Sequence, residues 1–254
     1  MGDPLSLFDD TTSSTDGPSA PNAPSAPEVA RTAEEAITTR RSVRAYLDRP
    51  VSRELVERIL MIARNAPSGS NVQPWRAYVL LGKRLQALGS DMKDTYLRGE
   101  PGHKREYNYY EIDWTGLEPY AGRRQACGWG LYSTLRITRQ EKDRLKAQRA
   151  TNFNFFSAPV GLVFTIKRCL ELGSWLDYGM FLQSINLAAR GFGLHSCTQA
   201  SISEFPLVVR RHLPVGEDEI VVAGMAIGYK DAGAPVNQFL TPRAPLAEFA
   251  TFLE

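Results

Sequence analysis

The sequence has little of several features that mark specialised classes of protein. Its three cysteines, Cys127, Cys169 and Cys197, are widely spaced and odd in number, so they form neither a disulfide framework nor a zinc-binding pattern. Reduced thiols of this kind are typical of a cytoplasmic protein, which is what we expect. No apolar run approaches the length of a membrane span, and the acidic N-terminus does not resemble a signal peptide.

An excess of charge of one sign is also missing. The 30 basic and 28 acidic residues leave a net charge of only +2, which gives no reason to expect binding to nucleic acid or to an anionic membrane. We therefore predict no nucleic-acid partner and no membrane partner. A length of 254 residues is sufficient for one substantial hydrophobic core.

Common catalytic motifs are lacking as well. His103, His195 and His212 are isolated, and no pair has the spacing of metal ligands, so we expect surface or capping positions for them. The stretch 128–130 lacks the third glycine of a dinucleotide fingerprint, and no serine lies in a Gly-x-Ser-x-Gly elbow. We assign no catalytic side chain and no metal site. If the protein is an enzyme, a cofactor supplies its chemistry.

Composition divides the chain into two parts. Residues 1–30 are rich in proline, serine and alanine, and we predict a disordered tail because too little apolar surface is present to offset the entropy of ordering. Residues 31–254 contain helical and strand patterns without a repeat, and this mixture predicts one α+β domain. The nearly continuous apolar run at 219–229 predicts a buried central strand.

The strongest helical pattern lies at residues 174–190. We expect Ser174 to cap its N-terminus and Gly191 or Gly193 to end it in the left-handed conformation. This helix is apolar on most of its surface, which is typical of an element packed in a core or at an interface between subunits.

A loop of small and polar residues separates an amphipathic helical run from the strand-like run 76–81. It reads Pro67-Ser68-Gly69-Ser70-Asn71-Val72-Gln73-Pro74-Trp75. Pro67 disfavours continuation of the helix. The small side chains and the glycine that follow allow backbone N–H groups to approach a flat or anionic ligand closely. An ordinary helix-to-strand turn has the same composition, so the loop alone leaves both interpretations open.

Five motifs occur together in the chain. Besides the 67–75 loop they are Arg40-Arg41-Ser42-Val43-Arg44, Asn152-Phe153-Asn154-Phe155-Phe156-Ser157-Ala158-Pro159, Ala188-Ala189-Arg190-Gly191-Phe192-Gly193-Leu194 and Pro242-Arg243-Ala244-Pro245. Each is weak alone, but in this order they resemble the FMN-dependent nitroreductase family over about residues 32–250. Residues 113–135 also resemble an insertion in a branch that includes p-nitrobenzoate reductases.

The arginine-rich segment has the chemistry to bind a phosphorylated ligand. Guanidinium groups of Arg40, Arg41 and Arg44, together with the Ser42 hydroxyl, can converge on phosphate and ribityl oxygens. A solvated basic turn would have the same pattern. The resemblance implies that Arg40 and Ser42 bind the phosphate and ribityl groups of FMN, and that Arg44 lies beside the pyrimidine edge of the flavin.

The resemblance adds Arg243 as a second phosphate-binding arginine. In the family a lysine often lies two residues earlier, where this chain has Thr241. The phosphate would then be held with one charge fewer, and Arg41 could supply the missing one.

Other segments complete the expected cofactor site. Six loop residues are candidates for contacting the flavin of a partner subunit: Pro67, Ser68, Gly69, Ser70, Asn71 and Gln73. Gln199 and Ala200 fall where a family backbone N–H addresses flavin N5, and the preceding Cys197 and Thr198 are further candidates for binding the cofactor. Asn152 is our candidate for binding the pyrimidine edge, with Asn154 as its rival. Asn152 and Gln199 would otherwise be plain turn residues.

The resemblance also implies the architecture and the reaction. The expected fold is α+β, with a central, mostly antiparallel sheet flanked by helices in an intertwined homodimer. The expected reaction is ping-pong: NAD(P)H reduces bound FMN and leaves, and a nitroaromatic or quinone then accepts the electrons. Aromatic residues at 107–129 are candidates for the walls of a flat substrate site, or for core residues. Reductive dehalogenation, enone reduction, flavin degradation and non-enzymatic flavin binding remain open alternatives.

Overall fold

An antiparallel sheet forms the centre of the computed structural model, which describes residues 28–109 and 116–254. Its four strands are β1 (Arg76–Leu81), β2 (Val160–Lys167), β3 (His195–Gln199) and β4 (Glu219–Gly228). They are arranged in the order β1-β2-β4-β3, and all three pairings are antiparallel. The prediction of an α+β fold around an antiparallel sheet is confirmed.

Seven α-helices surround the sheet within the described ranges. They are α1 (Ala33–Thr39), α2 (Arg53–Ala63), α3 (Gly82–Arg98), α4 (Tyr120–Thr134), α5 (Lys142–Ala150), α6 (Leu172–Gly191) and α7 (Pro206–His212). None of the helices in these ranges is long and apolar enough to cross a membrane. Residues 1–27 of the predicted tail lie outside the described residues. Ala30, at the end of the predicted tail, is buried, and its N–H donates to the Arg190 carbonyl.

Strand β4 is the buried central strand that the apolar run predicts. Every one of its residues is buried, because β2 and β3 pair with its two edges and helices cover both faces. On one face, Ile59 of α2 and Phe181 of α6 join the core. On the other face, Leu88 of α3 and Val208 of α7 do the same. This rigid centre holds β3 at the edge of the sheet.

Helix α6 begins earlier than the sequence predicts. Its N-cap is Glu171, which makes no side-chain capping bond, so the prediction that Ser174 caps the helix is wrong. The predicted end is confirmed, because Gly193 has a left-handed φ of +72°. At the start of the helix Leu172 and Leu176 are 87% and 72% exposed, which leaves an apolar surface on this subunit.

The turn before β2 stores backbone strain. Phe155, Phe156 and Ser157 have φ values of +54°, +54° and +56°, a conformation that costs about 1–2 kcal/mol for each residue with a side chain. The two phenylalanines are 0% and 5% exposed, so their burial offsets the strain. Ser157 is exposed and has no such compensation.

We expect Ser157→Gly to be more stable than Ser157→Ala. Both variants remove the hydroxyl that accepts a hydrogen bond from Asn154 Nδ2 at 3.3 Å, but only glycine relieves the strain. Glycine also gains entropy in the unfolded chain, so the net difference should be about 0.5–1 kcal/mol. Urea unfolding of the two proteins measures it. An equal or lower midpoint for the glycine variant would contradict this account of the turn.

Candidate cofactor site

The segment that follows α1 pairs with the outer edge of β3. Ser42 forms a parallel bridge with Ser196, and the Val43 N–H donates to the Ser196 carbonyl at 3.2 Å. Burial raises the pKa of the Cys197 thiol, and the nearby Ser42 side chain partly opposes that rise. Two motifs that are far apart in the sequence, at 40–44 and 197–200, are therefore adjacent in the structure.

Arginine side chains collect around this bridge. Burial, followed by the positive charges of Arg243 and Arg41, lowers the pKa of Arg40, which places the three guanidinium groups near one another. Within the described ranges no carboxylate forms an ion pair with any of them. Cations crowded together without an acid fit a dianionic phosphate, which accepts charge-assisted hydrogen bonds from guanidinium groups.

Thr241, which stands where the resemblance led us to expect a lysine, supports Arg243 through hydrogen bonds instead of charge. Its carbonyl and hydroxyl oxygens accept hydrogen bonds from Arg243 Nη1 at 3.0 and 2.8 Å. The residue therefore adds no charge to the cluster, but it orients the exposed Arg243 side chain. Arg41 Nη1 donates to the carbonyls of Thr38 and Arg40, so that guanidinium also lies close to the cluster.

Arg44 is held by a residue that sequence reasoning missed. Its backbone N–H donates to Asn237 Oδ1 at 2.8 Å, while Asn237 Nδ2 donates to the carbonyls of Ala45 and Asp231. Asn237 is 8% exposed and lies in a stretch that carries no recognisable motif, so only the structure identifies it. Burial raises the pKa of the Cys197 thiol, and the positive charge of Arg44 opposes that rise. Arg44 is thus near the predicted flavin-binding end of β3.

The structure separates the two candidate asparagines. Gln199 Nε2 donates to the Asn152 carbonyl at 2.6 Å, and Asn152 Nδ2 donates to the Arg149 carbonyl, so its Oδ1 is left as an acceptor. Asn154 instead packs on Gly89 of α3, where an added Cβ would lie 3.0 Å from the Asn154 Cα. Asn152 is therefore the asparagine beside β3.

Gln199 contains a buried acceptor with no donor. The residue is 3% exposed, and its Oε1 has no hydrogen-bond partner among the described residues. Next to β3, Thr198 and Ala200 line a cavity of about 910 Å³, together with Tyr107 and Trp175. The predicted 197–200 segment thus borders open space large enough for a flat ligand.

The 67–73 loop, with the Trp75 that follows it, packs on α6. The Gly69 N–H donates to Asp177 Oδ2 at 3.1 Å, and the Trp75 ring stacks on Phe181 with a centroid distance of 4.6 Å. In the described part of the chain, no hydrogen bond or ion pair joins this loop to the arginine cluster. The predicted contact with a partner's flavin stays a prediction.

The loop has an unusual backbone. Ser70, Asn71 and Gln73 have φ values of +50°, +58° and +50°, and all three are exposed. The Ser68 hydroxyl accepts the Gln73 N–H at 3.0 Å, which supports the strained conformation. Strain kept in an exposed loop is typical of a functional segment.

The aromatic residues at 107–129 have different positions in the structure. Tyr107 packs on Trp175 at 4.6 Å, and its hydroxyl donates to the Val222 carbonyl at 2.8 Å, so it both belongs to the core and lines the cavity. Tyr120 is 54% exposed. Tyr110 and Trp114, which the sequence also suggested as walls, lie outside the described residues.

The prediction of surface or capping histidines is wrong for His195. Its Nε2 lies 3.1 Å from Arg190 Nη1. Burial, and then the charges of Arg190 and Lys230, lower its pKa to about 3. The imidazole is therefore neutral at physiological pH.

A central antiparallel sheet with an arginine cluster at its edge strand defines an α+β domain with the positive charge to hold an anionic group such as a phosphate. Residues 37–229 match the model of the nitroreductase family. A match over this much of the chain, together with relatives about 40% identical, shows that the chain belongs to this family.

Two relatives are named as reductases of nitroaromatic compounds. The chain is 40% identical over 220 residues to a nitrobenzene nitroreductase of Ectopseudomonas oleovorans, covering 87% of this chain and 96% of the relative. It is 39% identical over 215 residues to a 4-nitrobenzoate reductase of Nocardioides sp., covering 84% and 87% respectively.

Solved structures share the fold. The FMN- and NADPH-dependent nitroreductase NfnB of Sphigopyxis sp. strain HMH superposes with a TM-score of 0.83 at 41% identity, over 88% of this chain and 99% of that one. The FMN-dependent NfnB of Mycobacterium smegmatis, in complex with NADPH, gives 0.81 at 31% identity, over 87% and 98%.

The titration of His195 predicts how stability depends on pH. A histidine titrates near 6.5 in the unfolded chain and near 3 in the folded protein, so the unfolded state binds more protons between these values. Stability should fall as pH is lowered from 7 to 5, with His195 contributing on the order of 1 kcal/mol. Urea midpoints at both pH values, for the wild type and for His195→Gln, measure this. Identical pH dependence in the two proteins would show that His195 does not cause it.

Proposed function

We propose that this protein is an FMN-dependent NAD(P)H oxidoreductase that reduces nitroaromatic or quinone acceptors by a ping-pong mechanism. The observation that carries the proposal is the arginine cluster without an acid, placed beside β3 and its bordering cavity. The FMN and NADPH dependence of the Sphigopyxis NfnB supports the choice of cofactor and reductant. The nitrobenzene and 4-nitrobenzoate relatives support the class of acceptor.

The basic residues divide the binding of FMN between them. Arg40, Arg41 and Arg243 would hold the phosphate, since their charges converge there. Ser42 would bind the ribityl chain. Arg44 would place a positive charge near the pyrimidine edge, where negative charge develops on reduction. When bound, FMN supplies two-electron transfer between the nicotinamide and the acceptor.

The edge of β3 would orient the flat part of the cofactor. Among the described residues, no strand pairs with the outer edge of β3 beyond the bridge at Ser196, so backbone donors near Thr198 are available to a ligand. Asn152 Oδ1 is an available acceptor for the pyrimidine edge, held in place through its hydrogen bond to the Arg149 carbonyl. The cavity beside Thr198 and Ala200 would take the planar substrate.

The proposal includes a homodimer that shares its two sites. The 67–73 loop makes no hydrogen bond to the arginine cluster of its own subunit in the described ranges, yet it is strained and exposed. Leu172 and Leu176 provide an exposed apolar surface on the same helix that anchors the loop. A partner subunit that covers this surface could receive the loop at its own flavin.

We also infer a reducing, cytoplasmic environment. Cys127, Cys169 and Cys197 are all free thiols, and two of them are exposed. Exposed free thiols persist best where glutathione and thioredoxin keep them reduced.

The test of this function is an anaerobic reduction of the flavin-loaded protein. Addition of NADH or NADPH should bleach the flavin absorbance, and later addition of nitrobenzene or 4-nitrobenzoate should restore it. A flavin that stays oxidised with both nucleotides would indicate a carrier of FMN instead of an enzyme. Reoxidation only by halogenated or enone acceptors would assign the fold to another flavin reaction.

Removal of the positive charge of Arg243 should weaken the binding of FMN without changing the redox chemistry of the flavin. Because a cation at the phosphate interacts almost equally with oxidised and reduced FMN, Arg243→Ala should raise the FMN dissociation constant about tenfold or more and leave the reduction potential unchanged. Flavin fluorescence titration of the deflavinated protein measures the dissociation constant, and spectroscopic redox titration measures the potential. A shifted potential with unchanged affinity would place Arg243 elsewhere.

Removal of the positive charge of Arg44, near the pyrimidine edge, should instead change the reduction potential of the flavin. Arg44→Ala should lower the two-electron potential by roughly 20–60 mV, which corresponds to a lost interaction of about 1–3 kcal/mol with the anionic reduced flavin. The same redox titration measures it, with Arg243→Ala as the matched control because it also replaces one arginine of the candidate site with alanine. An unchanged potential in Arg44→Ala would mean that this arginine does not face the flavin ring.

A further inference from the structure

A buried arginine contacts the segments that lead into the candidate phosphate site. Arg190, in the last turn of α6, is 1% exposed. Its Nε donates to the Thr39 hydroxyl at 3.2 Å. Its Nη1 donates to the carbonyls of Glu28 and Leu194 at 3.2 and 3.4 Å, and lies 3.1 Å from His195 Nε2. None of these four partners carries a charge at neutral pH.

These partners belong to the two segments that form the arginine cluster. Thr39 is the last residue of α1 and directly precedes Arg40, which leaves the helix with an extended backbone. His195 directly precedes Ser196, the residue that pairs with Ser42. A single guanidinium group therefore connects the two segments, three residues before Ser42 on one and one residue before Ser196 on the other.

Helix α1 has few other means of fixing its position. It is seven residues long, and Ala36 is its one buried residue, whereas Ile37 is 54% exposed. Such a short helix with so little buried surface is marginal without tertiary contacts. The hydrogen bond between Arg190 and Thr39 is thus well placed to determine where Arg40 points.

We propose that Arg190 is a positioning residue for phosphate binding, one that sets the location of Arg40 and Ser42 without touching the cofactor. This inference rests on the proposed function, because it assumes that the arginine cluster binds the phosphate of FMN. The planar guanidinium suits the role, since its donors leave in fixed directions and can hold several acceptors at once. A lysine ammonium would keep the charge but not this geometry.

The decisive variant is Thr39→Val, which removes the acceptor for Arg190 Nε with little change in volume. Thr38→Val is its matched control, because the Thr38 hydroxyl donates to the Glu34 carbonyl and has no bond with Arg190. Arg190→Lys serves as a second variant that retains the charge. Dissociation constants for FMN and for riboflavin, which lacks the phosphate, are measured on the deflavinated proteins by fluorescence quenching, beside urea unfolding.

We expect Thr39→Val and Arg190→Lys to raise the dissociation constant of FMN by about fivefold to tenfold, with little effect on that of riboflavin. Thr38→Val should match the wild type for both ligands. Equal losses for FMN and riboflavin, or equal behaviour of Thr39→Val and Thr38→Val, would overturn the positioning role. Wild-type protein that binds neither flavin would instead overturn the proposed function, so the two failures are distinguishable.

Discussion

The pairing of Ser42 and Val43 with Ser196 is the contact on which the candidate site depends. It is short, with one bridge and one backbone hydrogen bond of 3.2 Å, yet it brings the arginine segment to the edge of β3. The edge is available because β4, completely buried, takes the central position and leaves β3 outside. The sheet therefore supplies a rigid border, and the chain around residue 42 supplies the charge.

The distribution of acidic residues explains why positive charge accumulates around Arg40. Elsewhere in the described structure, buried or half-buried carboxylates neutralise arginines: Glu106 pairs with Arg210, and Glu219 with Arg76. Among the residues that the structure describes, no such acid pairs with Arg40, so an anionic ligand can provide the missing negative charge. Burial of uncompensated charge is costly. We therefore expect a ligand bound at this position to be held firmly, and we expect a phosphate group on that ligand to increase its affinity.

Helix α6 connects the two halves of the site. Near its start Asp177 anchors the strained 67–73 loop, and in its last turn Arg190 anchors the segment that leads into Arg40. These residues are about 20 Å apart along the helix axis, so the loop and the arginine cluster lie at separate places on the chain. This spacing is the physical basis of the proposal that each flavin is contacted by two subunits.

The sequence by itself determined the class of fold and the types of residue at the site, because strand and helix periodicities are local and the motifs 40–44, 152–159 and 197–200 carry their chemistry in their side chains. Only the tertiary structure decided which of these residues meet. It placed Asn152 beside β3 and Asn154 against α3, it turned Thr241 into a support for Arg243, and it revealed Asn237 and the contact of the buried Arg190 with His195. Such choices depend on packing between distant segments, which no local pattern encodes.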